Sequence, residues 1–470
     1  MRLSDNPALQ AAAQSGCPIL CIFVHDEKSE GLRPLGAAAR WWHHGSLKSL
    51  DEALQSQGGR ISIYNGSAVS LVPELAETYK AAAVFWNRRY GAVERQVDEA
   101  VKRALKSRRI EAKSFNGLLL YEPWSIRTKA DGPFRVFSAF WRAAHEFSEP
   151  APPLPAPSRL PFFEEADKSG PVPTTLADLA LEPSSPDWAG GLRSTWQRGE
   201  AGAQAQLEHF LEEHLAEYAD LRDVPDRPAT SRLSPYLRFG NISPRQAWHA
   251  ANAAAHAGRH GTSRNLEKFQ SELGWREFSY HLLYNNPGMA TKNLQPKFNG
   301  MPWRDDAKAL RAWQHGRTGY PIVDAGMREL WATGWMHNRV RMVVASFLIK
   351  HLLIDWRQGE AWFWDTLVDA DPANNSASWQ WVAGSGADAA PYFRIFNPVL
   401  QGEKFDPEGS YVRRWVPELA GLPASIIHRP WQVRIRTAGR GSKVGNSYPD
   451  RIIDHDQARR RALQAYRDLD

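Results

Sequence analysis

The stretch RVRMVVASFLIKHLLIDW, residues 339–356, decides what kind of fold the second part of this chain adopts. Its apolar residues recur at three- and four-residue spacing, which predicts a helix with one buried face. The same spacing occurs in AQAQLEHFLEEHLAEYADL, residues 203–221, and in NLEKFQSELGWREFSYHLLY, residues 265–284. Strand signals are nearly absent in this part of the chain. We therefore predict an all-helical domain over residues 191–470.

The first part of the chain has a different pattern. CPILCIFVH (residues 17–25) and AAAVFW (residues 81–86) are short apolar runs. Between them lie AARWWHHGSLKSLDEALQS (residues 38–56), with helical spacing, and RISIYNG (residues 60–66), with strand alternation. This alternation of strands and helices predicts an α/β domain with a parallel sheet over residues 1–130.

A proline-rich stretch separates these two parts. EPAPPLPAPSRLP, residues 149–161, contains six prolines. Proline fixes φ and lacks the backbone N–H, so neither a helix interior nor a central strand fits here. We predict an interdomain linker over residues 131–190.

The composition excludes several classes of protein. Two cysteines in 470 residues rule out a disulfide scaffold and a cysteine-rich metal site. No stretch is long and apolar enough to cross a membrane, and the start of the chain lacks the apolar core of a signal peptide. We expect a cytoplasmic monomer. The net charge of +6 permits a polyanionic partner without requiring one.

The content of 20 tryptophans is unusual. Such rings fill a large core, stack on flat ligands such as flavins and bases, or conduct electrons. Composition alone leaves these three uses open.

PATSRLSPYLRFGNISP, residues 228–244, crowds the hydroxyls of Thr230, Ser231 and Ser234 around Arg232 just ahead of a predicted helix. Hydroxyls and backbone donors at a helix start suit a phosphate group. A plain capped helix explains the same residues, because Ser and Thr are preferred N-caps.

SELGWREFSYHLLYNNP, residues 271–287, places Glu272, Arg276 and Tyr280 on one helical face with Trp275 beside it. On spacing alone, a solvated Glu–Arg pair next to a core tryptophan is the better interpretation. In TGWMHNRVRM, residues 333–342, Asn338 and Met342 share a helical face. His337 in this stretch is a candidate ligand or general base, but a lone histidine on a helix is usually structural. No metal is predicted here, because no second His, Cys or carboxylate stands at metal spacing.

DADPANNSASWQW, residues 369–381, combines acids, amides and tryptophans. Asp369 and Asp371 suit an acid/base pair for glycosidic chemistry, or acceptors for ring N–H groups and sugar hydroxyls. The amides of Asn374 and Asn375 favour the second use, since amides read heterocycle edges. An Asp-capped loop before a helix is the structural alternative.

Taken together, these sequence motifs resemble those of the DNA photolyase and cryptochrome family, and most closely those of a microbial cyclobutane pyrimidine dimer photolyase. The resemblance spans nearly the whole chain. The words that carry it are TSRLSPYLRFG (230–240), SELGWREF (271–278), GYPIVDAGMRELWATGWMHNRVRM (319–342), LIDW (353–356), WQWVAGSGADAAPYFRIFNP (379–398), QGEKFDPEG (401–409), YVRRWVPEL (411–419) and YPDRIIDH (448–455).

RLSDNPAL, residues 2–9, is similar to the family's first loop. Family members carry a strand before this loop, whereas Met1 already lies at its edge. We therefore expect a Rossmann-like parallel sheet that lacks its first strand. This departure concerns the first domain and its antenna site, and it leaves the helical domain untouched.

The resemblance implies that FAD, bent into a U, binds in the helical domain. It places Asn375 at flavin N5 and pairs Arg341 with Asp369. The residues that it assigns to the cofactor are Tyr218, Thr230, Ser231, Arg232, Leu233, Ser234, Phe269, Arg276, Arg341, Asp369, Ala370, Asp371 and Asn375.

The resemblance also implies light-driven repair of a cyclobutane pyrimidine dimer flipped out of ultraviolet-damaged DNA, with photoreduction of the flavin through Trp379, Trp356 and Trp303. Glu272 matches the carboxyl that stabilises the dimer radical anion. The relatives that repair the (6-4) photoproduct have histidines where this chain has Asn338 and Met342. The substrate and DNA contacts that it implies are Arg222, Glu272, Trp275, Asn338, Arg339, Met342, Trp381, Arg394, Gln401 and Lys404.

The first domain of the family holds an antenna chromophore. RWWHHGSLKSLDEAL (40–54) and SFNGLLLYEPW (114–124) mark its expected region. We favour 5,10-methenyltetrahydrofolate over 8-hydroxy-deazaflavin, and a site without an antenna stays open. The alternative function is a blue-light photoreceptor of the cryptochrome type. An unrelated flavin redox enzyme lacks support, since no GxGxxG opens a strand–helix unit, and a structural DNA-binding protein would not explain the flavin-contact residues.

Overall fold

The computed structural model describes residues 1–163, 170–257, 263–388, 393–432 and 448–469. The chain divides into two compact units. Unit 1 comprises Met1–Ala216 and Ser231–Pro287, and unit 2 comprises Glu217–Thr230 and Gly288–Asp470. The predicted domains 1–130, 131–190 and 191–470 are continuous segments of the chain. Each compact unit, in contrast, combines two separate stretches. The boundaries of the three segments stay a prediction.

All the strands that the structure describes lie in unit 1. β1 (Cys21–His25) pairs in parallel with β2 (Ile61–Asn65). β3 (Ala83–Asn87) pairs in parallel with β4 (Glu111–Phe115). The predicted α/β character and the parallel pairing are confirmed. The strands form two separate two-stranded sheets, and no strand within the described ranges pairs with both β1 and β3.

The loop at the start of the chain is anchored in unit 1 by buried charges. The Arg2 guanidinium donates to the carbonyls of Asp5 at 2.6 Å and Gly117 at 2.7 Å. The buried Asp5 carboxylate accepts from Arg245 at 3.2 Å. This paired arrangement satisfies charges that would otherwise be costly to bury.

Ten α-helices are described in unit 1. They are α1 (Pro7–Gln14), α2 (Ala37–Gln55), α3 (Ala68–Thr78), α4 (Ala92–Ser107), α5 (Phe137–Phe147), α6 (Gly190–Thr195), α7 (Glu200–Glu213), α9 (Ser234–Phe239), α10 (Pro244–His256) and α11 (Ser263–Asn285). Among them, α1 to α4 contact the strands.

The proline-rich stretch forms neither helix nor strand, as its composition predicts. It is nevertheless bound to unit 1, because Asp5 N donates to the Leu154 carbonyl at 2.8 Å. Helix α5 lies inside the segment predicted as a linker. Its Phe137 ring stacks on Trp275 of α11 with centroids 3.7 Å apart. This aromatic packing makes α5 part of the folded unit, which composition did not anticipate.

Helices and connecting loops make up unit 2, and all the regular secondary structure described there is helical. Its α-helices there are α8 (Tyr218–Leu221), α12 (Ala307–Gln314), α13 (Pro321–Thr333), α14 (Asn338–Ser346), α15 (Trp356–Thr366), α16 (Asn374–Ala383), α17 (Pro398–Phe405), α18 (Ser410–Trp415), α19 (Ala424–Ile427) and α20 (His455–Arg467). The predicted all-helical character of the C-terminal part is confirmed. None of the helices described in the chain has the length and apolarity needed to span a membrane.

The apolar stretch 339–356 is not one continuous helix. Helix α14 passes into a π-helix at Phe347–His351. Leu353 then takes a left-handed conformation with φ of 57°, which ends the helical run. The Asp355 side chain caps α15 by accepting from Arg357 N at 3.0 Å. The break places Trp356 at the start of α15 in the buried core.

Candidate functional site

Asp369 in unit 2 forms a bidentate ion pair with Arg341. The Arg341 guanidinium reaches the two carboxylate oxygens of Asp369 at 2.8 and 3.2 Å. Arg341 Nε also donates to the Met336 carbonyl at 2.7 Å. This is the expected pairing, and its bidentate geometry orients a buried carboxylate. Ala370 beside it is buried, at 1% exposure.

One carboxylate oxygen of Asp371 accepts hydrogen bonds from residues of the turn that follows it. Its Oδ1 accepts from Ala373 N at 2.9 Å, Asn374 N at 2.8 Å and the Asn374 side-chain amide at 3.0 Å. The capped-loop interpretation therefore holds for this oxygen, and the amide of Asn374 is used in the same turn. The turn leads directly into α16, which begins at Asn374.

Asn375 is oriented by Glu360 of α15. The Asn375 Nδ2 donates to the Glu360 carbonyl at 3.0 Å and to the Glu360 carboxylate at 2.8 Å. Both side chains are buried. Because both amide hydrogens are used within the protein, the Asn375 Oδ1 is left as the end that presents an acceptor. No hydrogen bond to that oxygen comes from the described residues.

The three tryptophans of the expected electron path all lie in unit 2. Trp379 and Trp356 are fully buried, and Trp303 is partly buried. The Trp379 ring packs on the backbone of Gly359, where an added Cβ would lie 2.1 Å from Trp379 Cη2. Gly359 is three residues after Trp356 on α15. Arg304, next to Trp303, donates its N–H to the Leu353 carbonyl at 2.7 Å.

Arg339 and Met342 lie together on α14. The Arg339 guanidinium contacts Met342 Sδ at 3.8 Å and pairs with Asp223 at 2.5 Å. Its carbon lies 4.5 Å from the centre of the Phe405 ring. The buried imidazole of His337 caps this helix by accepting from Arg339 N at 3.2 Å, so the structural interpretation of that histidine holds.

The remaining predicted residues of unit 2 occupy its helix termini and loops. The Arg222 guanidinium carbon lies 5.4 Å from the Tyr218 ring centre. Trp381 Nε1 donates to the Asp388 carbonyl at 3.0 Å. The buried ammonium of Lys350 donates to the carbonyl of Arg394. Arg394, Lys404 and Asn338 are exposed, and Gln401 and Thr230 are half-buried.

Unit 1 carries the second group of predicted residues. Glu272 forms an ion pair at 3.0 Å with Lys268, one helical turn away. The spacing suggested Arg276 as a neighbour of Glu272, but Arg276 donates to the Leu118 carbonyl at 2.9 Å and pairs with Glu277 at 3.3 Å. Arg276 is buried, and a buried guanidinium takes the nearest carbonyls and carboxylate. Its assignment to the cofactor stays a prediction.

Six further predicted residues of unit 1 have the following surroundings. Phe269 is a core residue whose ring lies 4.9 Å from Phe210. Trp275 is covered on one face by Phe137. Arg232 adopts a left-handed backbone with φ of 51°, which is strained for a residue with a side chain. The Ser231 carbonyl accepts from Gln206 at 3.1 Å, Leu233 is buried, and Ser234 opens α9.

Sequence profiles of two families match the chain. The profile described as DNA photolyase matches residues 1–158, and the profile described as FAD binding domain of DNA photolyase matches residues 269–468. The chain belongs to the DNA photolyase family. Similarity over nearly the whole length agrees with this assignment.

Photolyases and cryptochromes both occur among the relatives. A deoxyribodipyrimidine photo-lyase of Agrobacterium fabrum is 49% identical over 99% of this chain and 95% of its own length. Cryptochrome-1 of Arabidopsis thaliana is 37% identical over 99% of this chain and 68% of its own length. The crystal structure of a bacterial class III photolyase from Agrobacterium tumefaciens has a TM-score of 0.93 at 48% identity, covering 100% of this chain and 95% of that one.

Sequence reasoning missed several partners that orient the photolyase residues. Glu360, Asp223 and Asn293 each bond a predicted site residue across 15 to 116 positions of the chain. Glu360 had one signal, since an acid inside the tryptophan-rich run WRQGEAWFW is unexpected in a buried helix. Asp223 and Asn293 lie in loops of ordinary composition and carried none.

Proposed function

We propose that this protein uses light to repair cyclobutane pyrimidine dimers in DNA, with FAD as its cofactor. The observation that carries the proposal is the buried Asn375 amide, whose nitrogen is fully engaged by Glu360 and whose oxygen has no donor among the described residues. This is the arrangement that suits a flavin carrying a proton at N5. The 49% identity to a named photo-lyase supports the same function.

The residues of unit 2 fit a flavin on chemical grounds. Asp369, oriented by its bidentate pair with Arg341, accepts hydrogen bonds from ring N–H groups or sugar hydroxyls. Asn375 accepts from N5, and Asp371 and Ala370 shape the same turn. When bound in its reduced form, FAD supplies the electron that enters the dimer under light and receives it back after the two ring bonds have broken.

The phosphate and ribose contacts are proposed from the remaining cofactor residues. These are Tyr218, Thr230, Ser231, Arg232, Leu233, Ser234, Phe269 and Arg276. The strained backbone of Arg232 supports a functional constraint at this turn, because a left-handed conformation costs about 1–3 kcal/mol for residues other than glycine.

The electron supply to the flavin is proposed to run through Trp379, Trp356 and Trp303. Trp379 of α16 contacts Gly359, which lies about one helical turn after Trp356 on α15. Trp303 is only partly buried, which suits the residue that exchanges electrons with a reductant in solution.

The dimer contacts are proposed separately for each unit. In unit 1, the Glu272 carboxyl group hydrogen-bonds the dimer, and the Trp275 ring, covered on one face by Phe137, packs against the dimer with its other face. In unit 2, Met342, Asn338 and Trp381 contact the dimer. A damaged pair costs less to unstack than an intact one, which favours flipping at the lesion.

Contacts to the DNA backbone are proposed from Arg222, Arg339, Arg394, Gln401 and Lys404. Arg394 and Lys404 are exposed and carry positive charge, as phosphate contacts require. Such contacts position the protein and carry little sequence information. A monomeric state and a cytoplasmic, nucleoid-associated location remain predictions.

The antenna chromophore is proposed to bind in unit 1, near α2. We retain methenyltetrahydrofolate over 8-hydroxy-deazaflavin. Trp41 Nε1 and both ring nitrogens of His43 are buried in α2 with no hydrogen-bond partner among the described residues. These unused polar atoms support a polar heterocyclic ligand near RWWHHG. The absorption spectrum of freshly purified protein distinguishes a folate, a deazaflavin and FAD alone.

A photoreceptor of the cryptochrome type is the second candidate, because cryptochromes align over nearly the whole chain. Repair and reception differ in whether damaged DNA is changed. Purified protein is reduced with dithionite, mixed with an oligonucleotide that holds one cyclobutane dimer, and kept in the dark or under blue light. We expect restored thymines only in the light, and no conversion of a (6-4) photoproduct. Bound FAD without repair would favour the photoreceptor.

A further inference from the structure

The indole N–H groups of two neighbouring tryptophans have different surroundings. Trp379 Nε1 is buried and has no hydrogen-bond partner in the described part of the chain. Trp356 Nε1, also buried, donates to the Asn293 side-chain oxygen at 2.9 Å. Both rings belong to the same core, and this bond is a polar difference between their surroundings.

Asn293 is oriented so that its oxygen faces Trp356. Its own amide nitrogen donates to the Asn299 side-chain oxygen at 2.9 Å. A carbonyl oxygen on the indole N–H stabilises positive charge on the ring, because a hydrogen bond to the charged form favours that form. The effect is large in a buried site, where water does not screen it.

The nearest cation does not cancel this effect. The Arg357 guanidinium carbon lies 4.9 Å from the centre of the Trp356 ring. The same guanidinium is paired with Asp355 at 2.9 Å and bonded to the Thr291 carbonyl at 2.6 Å. Its charge is therefore compensated locally, and the uncharged Asn293 acceptor remains the group that distinguishes Trp356 from Trp379.

We propose that Asn293 makes Trp356 easier to oxidise than Trp379 and so gives the supply of electrons to the flavin its direction. This rests on the proposed function, in which Trp379 gives one electron to the light-excited flavin. One electron from Trp356 then refills Trp379, one from Trp303 refills Trp356, and a thiol reductant in solution refills Trp303. Asn293 is a positioning residue. By stabilising positive charge on Trp356, it opposes the return of that charge to Trp379.

The structure also limits where a competing path can run. Trp313 lies 6.2 Å from Trp379, and its Nε1 donates to the Val344 carbonyl at 3.0 Å. Trp313 is fully buried, so it has no exposed surface from which a solution reductant refills it. Replacement of Trp356 by phenylalanine separates the two paths.

The test compares Asn293→Leu and Asn293→Asp. Leucine removes the acceptor, and aspartate strengthens it with a full negative charge. In transient absorption, we expect Asn293→Leu to lower the yield of long-lived oxidised tryptophan and the rate of steady-state photoreduction with a thiol about tenfold, the factor expected for one hydrogen bond to a charged group. We expect Asn293→Asp to leave both at or above the wild-type value.

Two further measurements exclude a general loss of structure. Asn241→Leu removes a similar bond, in which Trp42 Nε1 donates to Asn241 at 3.0 Å in unit 1, and it should leave photoreduction unchanged. Ultraviolet resonance Raman spectra of the cofactor-free proteins report the indole N–H bond directly, and Asn293→Leu should lose one hydrogen-bonded indole signal.

Equal photoreduction in Asn293→Leu and the wild type, or equal losses in the leucine and aspartate variants, would overturn the proposal. Wild-type photoreduction in Trp356→Phe would overturn it together with the proposed tryptophan path. Repair by dithionite-reduced protein does not need this path. If the dithionite-reduced wild type repairs no dimers, that result overturns the proposed function independently of the role of Asn293.

Discussion

Glu360 accepts both hydrogen bonds from the side-chain nitrogen of Asn375, one on its backbone carbonyl at 3.0 Å and one on its carboxylate at 2.8 Å. An amide presents either a donor or an acceptor to a ligand. Glu360 decides between these two faces, and it leaves the Asn375 oxygen as the acceptor available to the proposed flavin. The orientation of Asn375 is therefore set by a residue 15 positions earlier in the chain.

Replacing Glu360 with leucine should reverse this orientation. The Asn375 nitrogen then loses its carboxylate acceptor and turns toward the cofactor. We expect bound FAD to persist while photoreduction falls about tenfold, since a lost hydrogen bond in a buried site costs about 1–3 kcal/mol. Glu360→Gln keeps an acceptor oxygen and is the matched control. Unchanged photoreduction in Glu360→Leu would contradict the role of Glu360.

Glu272→Ala should lower the number of dimers repaired per absorbed photon by about tenfold, because the dimer loses the hydrogen bond proposed to the Glu272 carboxyl group. The ratio of FAD to protein should not change. Lys268→Ala removes only the ion pair on the same helix and should leave repair near the wild-type value. Loss of FAD in Glu272→Ala would show that the residue is structural.

Asp223 and Arg339 make a testable pair for DNA binding. Arg339→Gln should weaken binding of damaged and undamaged DNA alike. The slope of the logarithm of the binding constant against the logarithm of the salt concentration should decrease in magnitude by about 1. Asp223→Asn leaves the Arg339 charge uncompensated, so undamaged DNA should bind several-fold more tightly and the preference for the lesion should fall. Fluorescence anisotropy at several salt concentrations measures both. Equal affinities in all three proteins would show that Arg339 lies off the DNA path.

Lys350 predicts a pH dependence of stability. Burial, assisted by the nearby charge of Arg394, lowers the pKa of Lys350 to about 7 from an ordinary 10.5. The unfolded chain holds this proton up to the ordinary pKa, whereas the folded chain releases it near 7. The free energy of unfolding should therefore rise between pH 7 and pH 10.5, by up to about 1.4 kcal/mol per pH unit.

Lys350→Met is the variant that checks this dependence. Methionine fills a similar volume and does not titrate, so its free energy of unfolding should rise less over the same range. Urea unfolding at pH 7 and pH 9 gives the difference between the two proteins. The neighbouring His351 has a pKa lowered by burial to about 3 and stays neutral throughout this window. An equal rise in both proteins would assign the dependence to other groups.

The sequence motifs and their order along the chain were enough to assign the family and the fold class. Helical spacing after residue 191 and strand signals before residue 130 predicted the right elements, because burial of one face imposes a period on local sequence. The bidentate pair of Arg341 with Asp369 was also expected. The helix α5 inside the proposed linker was not, since its stability comes from stacking on Trp275, far along the chain.

The sequence by itself determined which chemical groups this protein possesses: the amide at 375, the three tryptophans, and the carboxylates at 369 and 371. Only the tertiary structure decided how those groups are oriented. Glu360 turns Asn375, Asp223 holds Arg339, and Asn293 bonds Trp356 but not Trp379. The physical reason is that a hydrogen bond depends on distances of a few ångströms and on direction. Neither is encoded by local periodicity when the partners are distant in the chain.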